Sequence, residues 1–223
     1  MAEARDQILE GLRKALKRGA LPAEKEAELT ARLAAHRPNL IPARATRLDH
    51  AGRINLFIEM AEEVQTTVVR VKSNADVPAA IADYLATNNL PSRLVMTPDP
   101  TLDDFPWETR PLLEIRRGRA GDGDLIGVTG GFAGIAETGT LMLISGPLTP
   151  TRNNFLPDHH ICVMRSDQIV ASYEEAWGRL RAHTDMPRTV NFITGPSRTG
   201  DIEQRLELGA HGPRRLHIVL IEG

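Results

Sequence analysis

Glu137 is the residue whose type and surroundings most clearly suggest chemistry. It lies within LIGVTGGFAGIAETGTLMLIS, residues 125–145, between a glycine cluster and a continuous apolar run. A carboxylate among residues that favour burial is either perturbed for chemistry or held by backbone amides. Two interpretations of Glu137 therefore stay open. It is a catalytic nucleophile or general base, or it belongs to a tight hairpin turn and bonds backbone N–H groups.

Small and hydroxylated residues surround this carboxylate on both sides. Glycines let a backbone approach another backbone or a ligand closely, and hydroxyl groups can donate and accept hydrogen bonds. We assign five of these residues as ligand-binding candidates: Thr129, Gly130, Thr138, Gly139 and Thr140.

A second candidate site is the segment GPSRTGDI, residues 195–202, which follows a predicted strand. The sequence predicts that it leads into a helical turn, where free backbone N–H groups would hold an anion. The alternative is a plain capped turn. The ligand-binding candidates here are Ser197, Arg198, Thr199 and Asp201.

The polar segment TRNNFLPDHH, residues 151–160, contains the remaining candidates. Arg152 could clamp a carboxylate or phosphate. His159 and His160, with His211 from a later turn, are weak candidates for metal ligands, and we predict no metal site. Adjacent residues of an extended segment point to opposite faces, so at most one of the pair would face a given site. A lone histidine is more often a hydrogen-bond partner.

Several classes of protein are disfavoured. The sequence has no Walker P-loop, no GxGxxG fingerprint, no GxSxG elbow and no HExxH motif. With a net charge of -2 and only 4% aromatic residues, it offers no basic stripe for nucleic acid. No apolar stretch is long enough to span a bilayer, so we predict no membrane span.

Cys162 is the single cysteine of the 223 residues. One cysteine excludes an intrachain disulfide and an iron–sulfur cluster held by this chain alone, so we predict no cofactor in the chain. The charged N-terminus lacks the apolar core of a signal peptide, and we expect a reducing, cytoplasmic location.

Hydrophobic periodicity divides the chain into a helical extension, residues 1–45, and an α/β domain, residues 46–223. In the main domain, predicted strands alternate with helices, which favours a mostly parallel sheet with some antiparallel pairing near the glycine stretch. Asp76 and Ser172 are the expected N-caps of two of these helices. The predicted helices cover 3–18, 22–35, 53–65, 76–87 and 173–183, and the predicted strands cover 66–71, 93–96, 112–115, 160–164, 168–170, 190–194 and 217–221.

Four ordered segments carry a family resemblance: GVTGGFAGIAETGTLML, TRNNFLPDHHICVM, ITGPSRTGDIE and LGAHGPRRLHIVL. Together they resemble the LUD domain of bacterial lactate-utilisation proteins, in the LutC (YkgG) branch, over roughly residues 50–223. The resemblance implies a three-layer, Rossmann-like α/β fold similar to the NagB/RpiA/CoA-transferase superfamily, with an N-terminal helical extension.

The same resemblance implies a role in oxidising L-lactate to pyruvate, as a complex subunit beside partner proteins that hold the iron–sulfur clusters. A small carboxylate such as lactate is then the expected ligand. The alternative is a free-standing CoA-transferase-like enzyme, or one acting on a phosphate ligand, because Glu137-Thr138-Gly139 matches the Glu-x-Gly form of class I CoA-transferases. A scaffold protein with a degenerate site is a third possibility.

Overall fold

The computed structural model describes residues 2–38, 40–183, 185–200, 206–209 and 211–223. The chain divides into two compact units, Met1–Leu40 and Ile41–Gly223. No helix in the described ranges combines the length and apolar character needed to cross a membrane.

The first unit contains helices α1 (Ala2–Ala15) and α2 (Ala23–Ala35). The first helix ends three residues before its predicted end at position 18. Lys17 adopts a left-handed conformation, with φ of 50°, and the N–H of Arg18 bonds the Arg13 carbonyl. This Schellman-type closure, rather than Gly19, ends the helix.

The second unit is built around a fully parallel six-stranded sheet with the order β1-β12-β7-β4-β2-β3. This confirms the predicted mostly parallel α/β fold. Its strands are β1 (Thr67–Val71), β2 (Arg93–Met96), β3 (Glu114–Arg117), β4 (Ile126–Gly130), β7 (His159–Arg165) and β12 (Arg215–Ile221).

The other described strands form a smaller sheet and a hairpin. The smaller sheet has the order β8-β5-β6-β9, in which β6 is antiparallel to both neighbours, as the glycine stretch predicted. These strands are β5 (Ala133–Ile135), β6 (Thr140–Ile144), β8 (Ile169–Val170) and β9 (Val190–Ile193). The separate hairpin is β10 (Arg198–Gly200) with β11 (Leu206–Leu208).

Among its described residues, the second unit has five α-helices: α3 (Ala43–Thr46), α4 (His50–Glu63), α5 (Val77–Thr87), α6 (Arg152–Phe155) and α7 (Tyr173–His183). Ile81 of α5 packs on one face of the parallel sheet. Phe57 of α4 packs with Leu141 of the smaller sheet on the other face. Leu180 of α7 in turn covers the smaller sheet. Apolar residues on both faces of the central strands thus dictate the layered architecture.

Two predicted helix starts differ from the structure. The side chain of Asp76 does not cap α5. It reaches back to the N–H of Ser73 at 3.0 Å, because a 3₁₀ turn capped by Ser73 precedes the helix. The second difference is the segment after β9, where a strand, β10, replaces the predicted helical turn.

Candidate functional site

The parallel sheet changes direction between neighbouring strands β2 and β4. The chain leaves β2 outward to β3, whereas it leaves β4 in the opposite direction along the sheet, toward β7. Such a point leaves a crevice outside the carboxyl ends of the two strands, where open α/β sheets bind ligands. The topology therefore marks this edge before any side chain is considered.

A cleft of about 610 Å³ lies at this point, and we call it the carboxyl-edge cleft. Gly130 is the last residue of β4, Asp99 follows β2, and Gln168 follows β7, so three neighbouring strands contribute to its wall. Helix α7 supplies Arg179 and His183 from the opposite side. The cleft has the size of ordinary small-molecule sites.

Asp99 presents a free carboxylate oxygen to this cleft. Its Oδ1 accepts hydrogen bonds from the N–H of Thr101 at 3.0 Å and from its hydroxyl at 2.8 Å, which fixes the carboxylate. The other oxygen, Oδ2, lies 3.0 Å from where a Cβ on Gly130 would stand. A side chain at position 130 would therefore require the end of the Asp99 side chain to shift by a few tenths of an ångström.

Arg179 is the main cationic group of the carboxyl-edge cleft. Its side chain is half-buried, and within the described residues its guanidinium has no hydrogen-bond or ion-pair partner. His183 follows one helical turn later, in the last turn of α7, where the helix dipole favours a cation. A partly desolvated guanidinium without a carboxylate partner is suited to bind an anionic ligand.

Gln168 and the hydrogen-bonded pair of Thr129 and His160 stabilise the strands beneath the carboxyl-edge cleft. Gln168 accepts from the N–H of Arg165 and donates to the carbonyl of Gly131, both at 2.6 Å. Below the glycines, Thr129 is bonded through its hydroxyl to Nε2 of His160 at 2.8 Å. Burial without a charged partner lowers the pKa of His160 to about 4. His160 is therefore a neutral structural ring at physiological pH.

Glu137 lies at the other end of the β5–β6 hairpin from the cleft residue Phe132. Only 8% of its surface is exposed, and its Oε1 accepts from the N–H of Tyr173, the first residue of α7, at 3.0 Å. Ser172 caps the same helix by accepting from the N–H of Glu175 at 3.3 Å. A carboxylate at a helix N-terminus stabilises both the free amide and the helix dipole. This is the backbone-bonding interpretation, and the catalytic role stays a prediction.

The residues after Glu137 have packing partners of their own. Thr138 and Thr140 bond each other through their hydroxyls at 2.7 Å, and both bond the phenol of Tyr173. Gly139 has φ of 64°, and a Cβ there would stand 2.2 Å from the backbone nitrogen of Ala61 in α4. These residues join the hairpin turn to two helices, and none of them lines the carboxyl-edge cleft.

In the second predicted site, the amide of Ser197 is not available to an anion. The N–H of Ser197 donates to the Pro213 carbonyl at 2.8 Å, so no helix N-terminus forms. Arg198 donates to the carbonyl of Val64 at 3.2 Å, and Thr199 pairs with Glu207 in the β10–β11 hairpin. Asp201 lies outside the described residues. The helical-turn prediction was wrong because neighbouring chain segments take up these backbone groups.

The side chains of Arg152 and of the three weak metal candidates do not share a site among the described residues. Arg152 is exposed and pairs with Asp122 at 2.8 Å. His159 bonds the phenol of Tyr84 through Nδ1 at 3.0 Å, whereas His160 faces Thr129, as the alternation of a strand predicted. His211 is exposed. Across the described ranges, no three histidine, cysteine, aspartate or glutamate side chains form a metal-binding group.

Sequence reasoning missed Asp99, Gln168, Arg179 and His183 as site residues. Asp99 lies three residues after the predicted strand 93–96, and the carboxyl ends of parallel strands share one edge, so this signal was available. Gln168 was instead predicted to begin the strand 168–170, which gave no such signal. Arg179 and His183 have the four-residue spacing of one helix face. The sequence does not say against which cleft that face lies.

Comparison with known proteins finds similar sequences and a similar fold. Residues 124–221 match the model of the LUD domain. "Lactate utilization protein C" of Deinococcus radiodurans is 38% identical over 95 residues, 42% of this chain and 45% of that protein. Its namesake in Exiguobacterium sp. is 33% identical over 125 residues, 54% of each chain. The "Uncharacterized protein NMB1437" of Neisseria meningitidis is 41% identical over 96 residues, 43% of this chain and 41% of that protein. The chain thus spans about half of the length of these relatives.

The crystal structure of a "duf162 family protein" from Deinococcus radiodurans has a similar fold. It aligns with a TM-score of 0.57 and 26% identity, covering 79% of this chain and 99% of that one. The aligned length is greater than that of the matched domain, so the likeness extends beyond residues 124–221. The matched segment, the sequence relatives and the shared fold show that residues 124–221 of this chain are similar to the LUD domain.

Proposed function

We propose that this protein takes part in L-lactate utilisation and binds a small carboxylate such as lactate in the carboxyl-edge cleft. The names of its sequence relatives support the pathway. The observation that supports the site is the half-buried Arg179 guanidinium, which has no protein partner among the described residues and faces a cleft at the switch point of the sheet.

The cleft offers complementary groups for a 2-hydroxy acid. Arg179 would pair with the carboxylate, because a planar guanidinium matches two carboxylate oxygens. Asp99 Oδ2 can only accept, since the ionised group carries no proton. It would therefore take the hydrogen bond of a hydroxyl group and disfavour the oxygen of a 2-oxo acid.

We further propose that iron–sulfur partner proteins accept the electrons when lactate is oxidised to pyruvate. Cys162 is fully buried, and desolvation raises the pKa of its thiol to about 12. A single buried thiol of this kind does not supply cluster ligands. One cysteine and no predicted cofactor also suit a role in the reducing cytoplasm.

The binding experiment uses two arginines of the same helix. Calorimetric titration of L-lactate should give saturable heat with the wild type and with Arg181→Gln, whose side chain is exposed. Arg179→Gln should weaken binding roughly tenfold or more, as expected for loss of a charge-assisted hydrogen bond. Equal affinities of the two variants would contradict the assignment of Arg179.

The pathway experiment is growth on L-lactate after deletion of the gene in its host. Failure to grow, restored by the wild type but not by Arg179→Gln, is the expected result. Co-purification with iron–sulfur proteins tests the partners, and deletion of residues 1–42 should abolish it if the exposed apolar side chains of α1 and α2 dock them. Normal growth of the deletion strain, in a host without another lactate dehydrogenase, would contradict the pathway.

The CoA-transferase-like alternative receives less support. A nucleophilic Glu137 needs an open path to substrate, but its oxygen Oε1 is engaged with the first amide of α7 and its side chain is buried. If Glu137 were nevertheless catalytic, Glu137→Gln would abolish growth on lactate and leave the melting temperature nearly unchanged.

A further inference from the structure

A second cavity of about 790 Å³ lies between helix α5 and strands β1 and β12, and we call it the α5 groove. It shares no lining residue with the carboxyl-edge cleft. Val69 and Val71 of β1 form one apolar wall, and Ala79 and Ala80 of α5 form the other. Val71 belongs to the buried core, whereas Val69, Ala79 and Ala80 are half-buried and give the α5 groove an apolar surface.

One end of the α5 groove holds a buried histidine with an unused nitrogen. His217 is 6% exposed, and its ring stacks on Tyr84 with centroids 4.2 Å apart. Its Nδ1 bonds the hydroxyl of Thr67 at 2.7 Å, while Nε2 has no partner among the described residues. A buried polar atom without a partner is costly, so it indicates a missing hydrogen-bonding group.

The same end is cationic. Arg214 and Arg215 both line it, and Arg215 is directed by a hydrogen bond to the Asn88 side chain. Arg214 has only a loose contact with Asp158, at 3.7 Å between Nε and Oδ2. Because that partner is distant and exposed, Arg214 remains available to an anion.

Two carboxylates also line the α5 groove. Asp83 is exposed on α5 and has no partner among the described residues, whereas Asp76 is held by Ser73. Strand β1 runs along the groove for about 13 Å, taking roughly 3.3 Å per residue. A ligand in the α5 groove would therefore meet the two arginines, an apolar surface and the Asp83 carboxylate. This carboxylate can accept a hydrogen bond from a ligand hydroxyl group.

We propose that the α5 groove binds a nucleotide. The phosphate lies at Arg214 and Arg215, because guanidinium groups recognise phosphate bidentately. Asp83 accepts a ribose hydroxyl, and His217 Nε2 takes the remaining polar contact. The base lies on the apolar surface that Val69, Ala79 and Ala80 present to the groove. A simple fatty anion would leave both Asp83 and His217 without a partner, so it fits the groove less well.

The test is calorimetric titration of the full chain with AMP, adenosine, inorganic phosphate and octanoate. We expect AMP to bind at least tenfold more tightly than adenosine or phosphate alone. Arg214→Gln should weaken AMP binding roughly tenfold, since it removes a charge-assisted bond, and leave adenosine unchanged. Ala79→Leu places a larger side chain in the α5 groove and should abolish binding of AMP, whereas Ala86→Leu, on the exposed side of α5, should not.

Ala79→Leu and Ala86→Leu form a matched pair, so a loss of AMP binding in only one of them is not due to a general effect on the helix. Both alanine positions lie on one helix and gain the same strong helix former. Absence of heat with AMP at millimolar concentration would overturn the proposal. So would AMP binding that both Arg214→Gln and Ala79→Leu leave unchanged, or preferential binding of octanoate. Lactate titration of Ala79→Leu should match the wild type, because the two cavities share no residue.

Discussion

The turn that contains Glu137 and the carboxyl-edge cleft are contrasting ends of one hairpin. At the turn, Glu137 Oε1 and the threonine hydroxyls have hydrogen-bond partners in the protein, and Gly139 packs against the backbone of α4. At the cleft, Arg179 and one oxygen of Asp99 have none among the described residues. A motif rich in glycine, threonine and a carboxylate can therefore be structural. Polar groups without protein partners indicate better where a ligand binds.

The largest change in stability is expected for a substitution in the turn that contains Glu137, compared with one at an unpacked glycine of α7. Gly139→Ala should lower the free energy of unfolding by at least roughly 3 kcal/mol, through positive φ and a Cβ 2.2 Å from the Ala61 backbone. Gly178→Ala, where a Cβ meets nothing within 4 Å, should instead stabilise α7 by about 0.5–1 kcal/mol. Urea unfolding of both variants measures this, and equal effects would contradict the role of close packing at the turn.

Acid should destabilise the protein through the buried histidine below the cleft. The pKa of His160 is lowered from 6.5 to about 4, so the unfolded chain binds this proton first. The stability that depends on neutral His160 is fully present above pH 6.5. As the pH falls toward 4, the free energy of unfolding decreases by about 3 kcal/mol because the unfolded chain is protonated first. His217, whose pKa burial also lowers to about 4, adds in the same direction.

Urea unfolding between pH 7 and pH 4.5 checks the histidine prediction. His160→Gln keeps a polar atom near Thr129 and should flatten the dependence of unfolding free energy on pH. His211→Gln, at an exposed position, should leave that dependence unchanged. The same slope in all three proteins would show that His160 is not the group responsible.

Glu137 gives an intermediate effect that separates capping from catalysis. Glu137→Ala leaves the N–H of Tyr173 without its acceptor and should cost about 2 kcal/mol of unfolding free energy. Glu137→Gln retains an acceptor oxygen but removes the charge at the start of α7, so it should cost about 0.5–1 kcal/mol. Chemical denaturation measures both, and an unchanged stability of Glu137→Ala would refute the capping role.

The smallest change in stability is expected at the cleft itself. A Cβ on Gly130 would stand 3.0 Å from Asp99 Oδ2 and 3.3 Å from the Thr101 hydroxyl. Both atoms are at the ends of side chains, which can shift toward the open cleft. Gly130→Ala should therefore alter the unfolding free energy by less than about 1 kcal/mol. Lactate affinity, measured by calorimetry, should nevertheless fall roughly tenfold because Asp99 is displaced. Unchanged affinity would place the ligand elsewhere.

The sequence by itself determined the parallel α/β fold and most of its elements. Continuous apolar runs such as HICVM predict strands buried on both faces, and these form the centre of the sheet. The family resemblance was likewise readable from ordered motifs. Adjacent histidines at 159 and 160 also separated to opposite faces, since a strand alternates.

Only the tertiary structure decided which polar residues meet. Whether Glu137 faces a ligand or the first amide of α7 depends on where a helix some 36 residues away docks. Arg179 acquires meaning only because its face of α7 lies against the carboxyl ends of β2 and β4. Local patterns report what a residue type can do, but the distance between segments far apart in sequence decides which of those possibilities is realised.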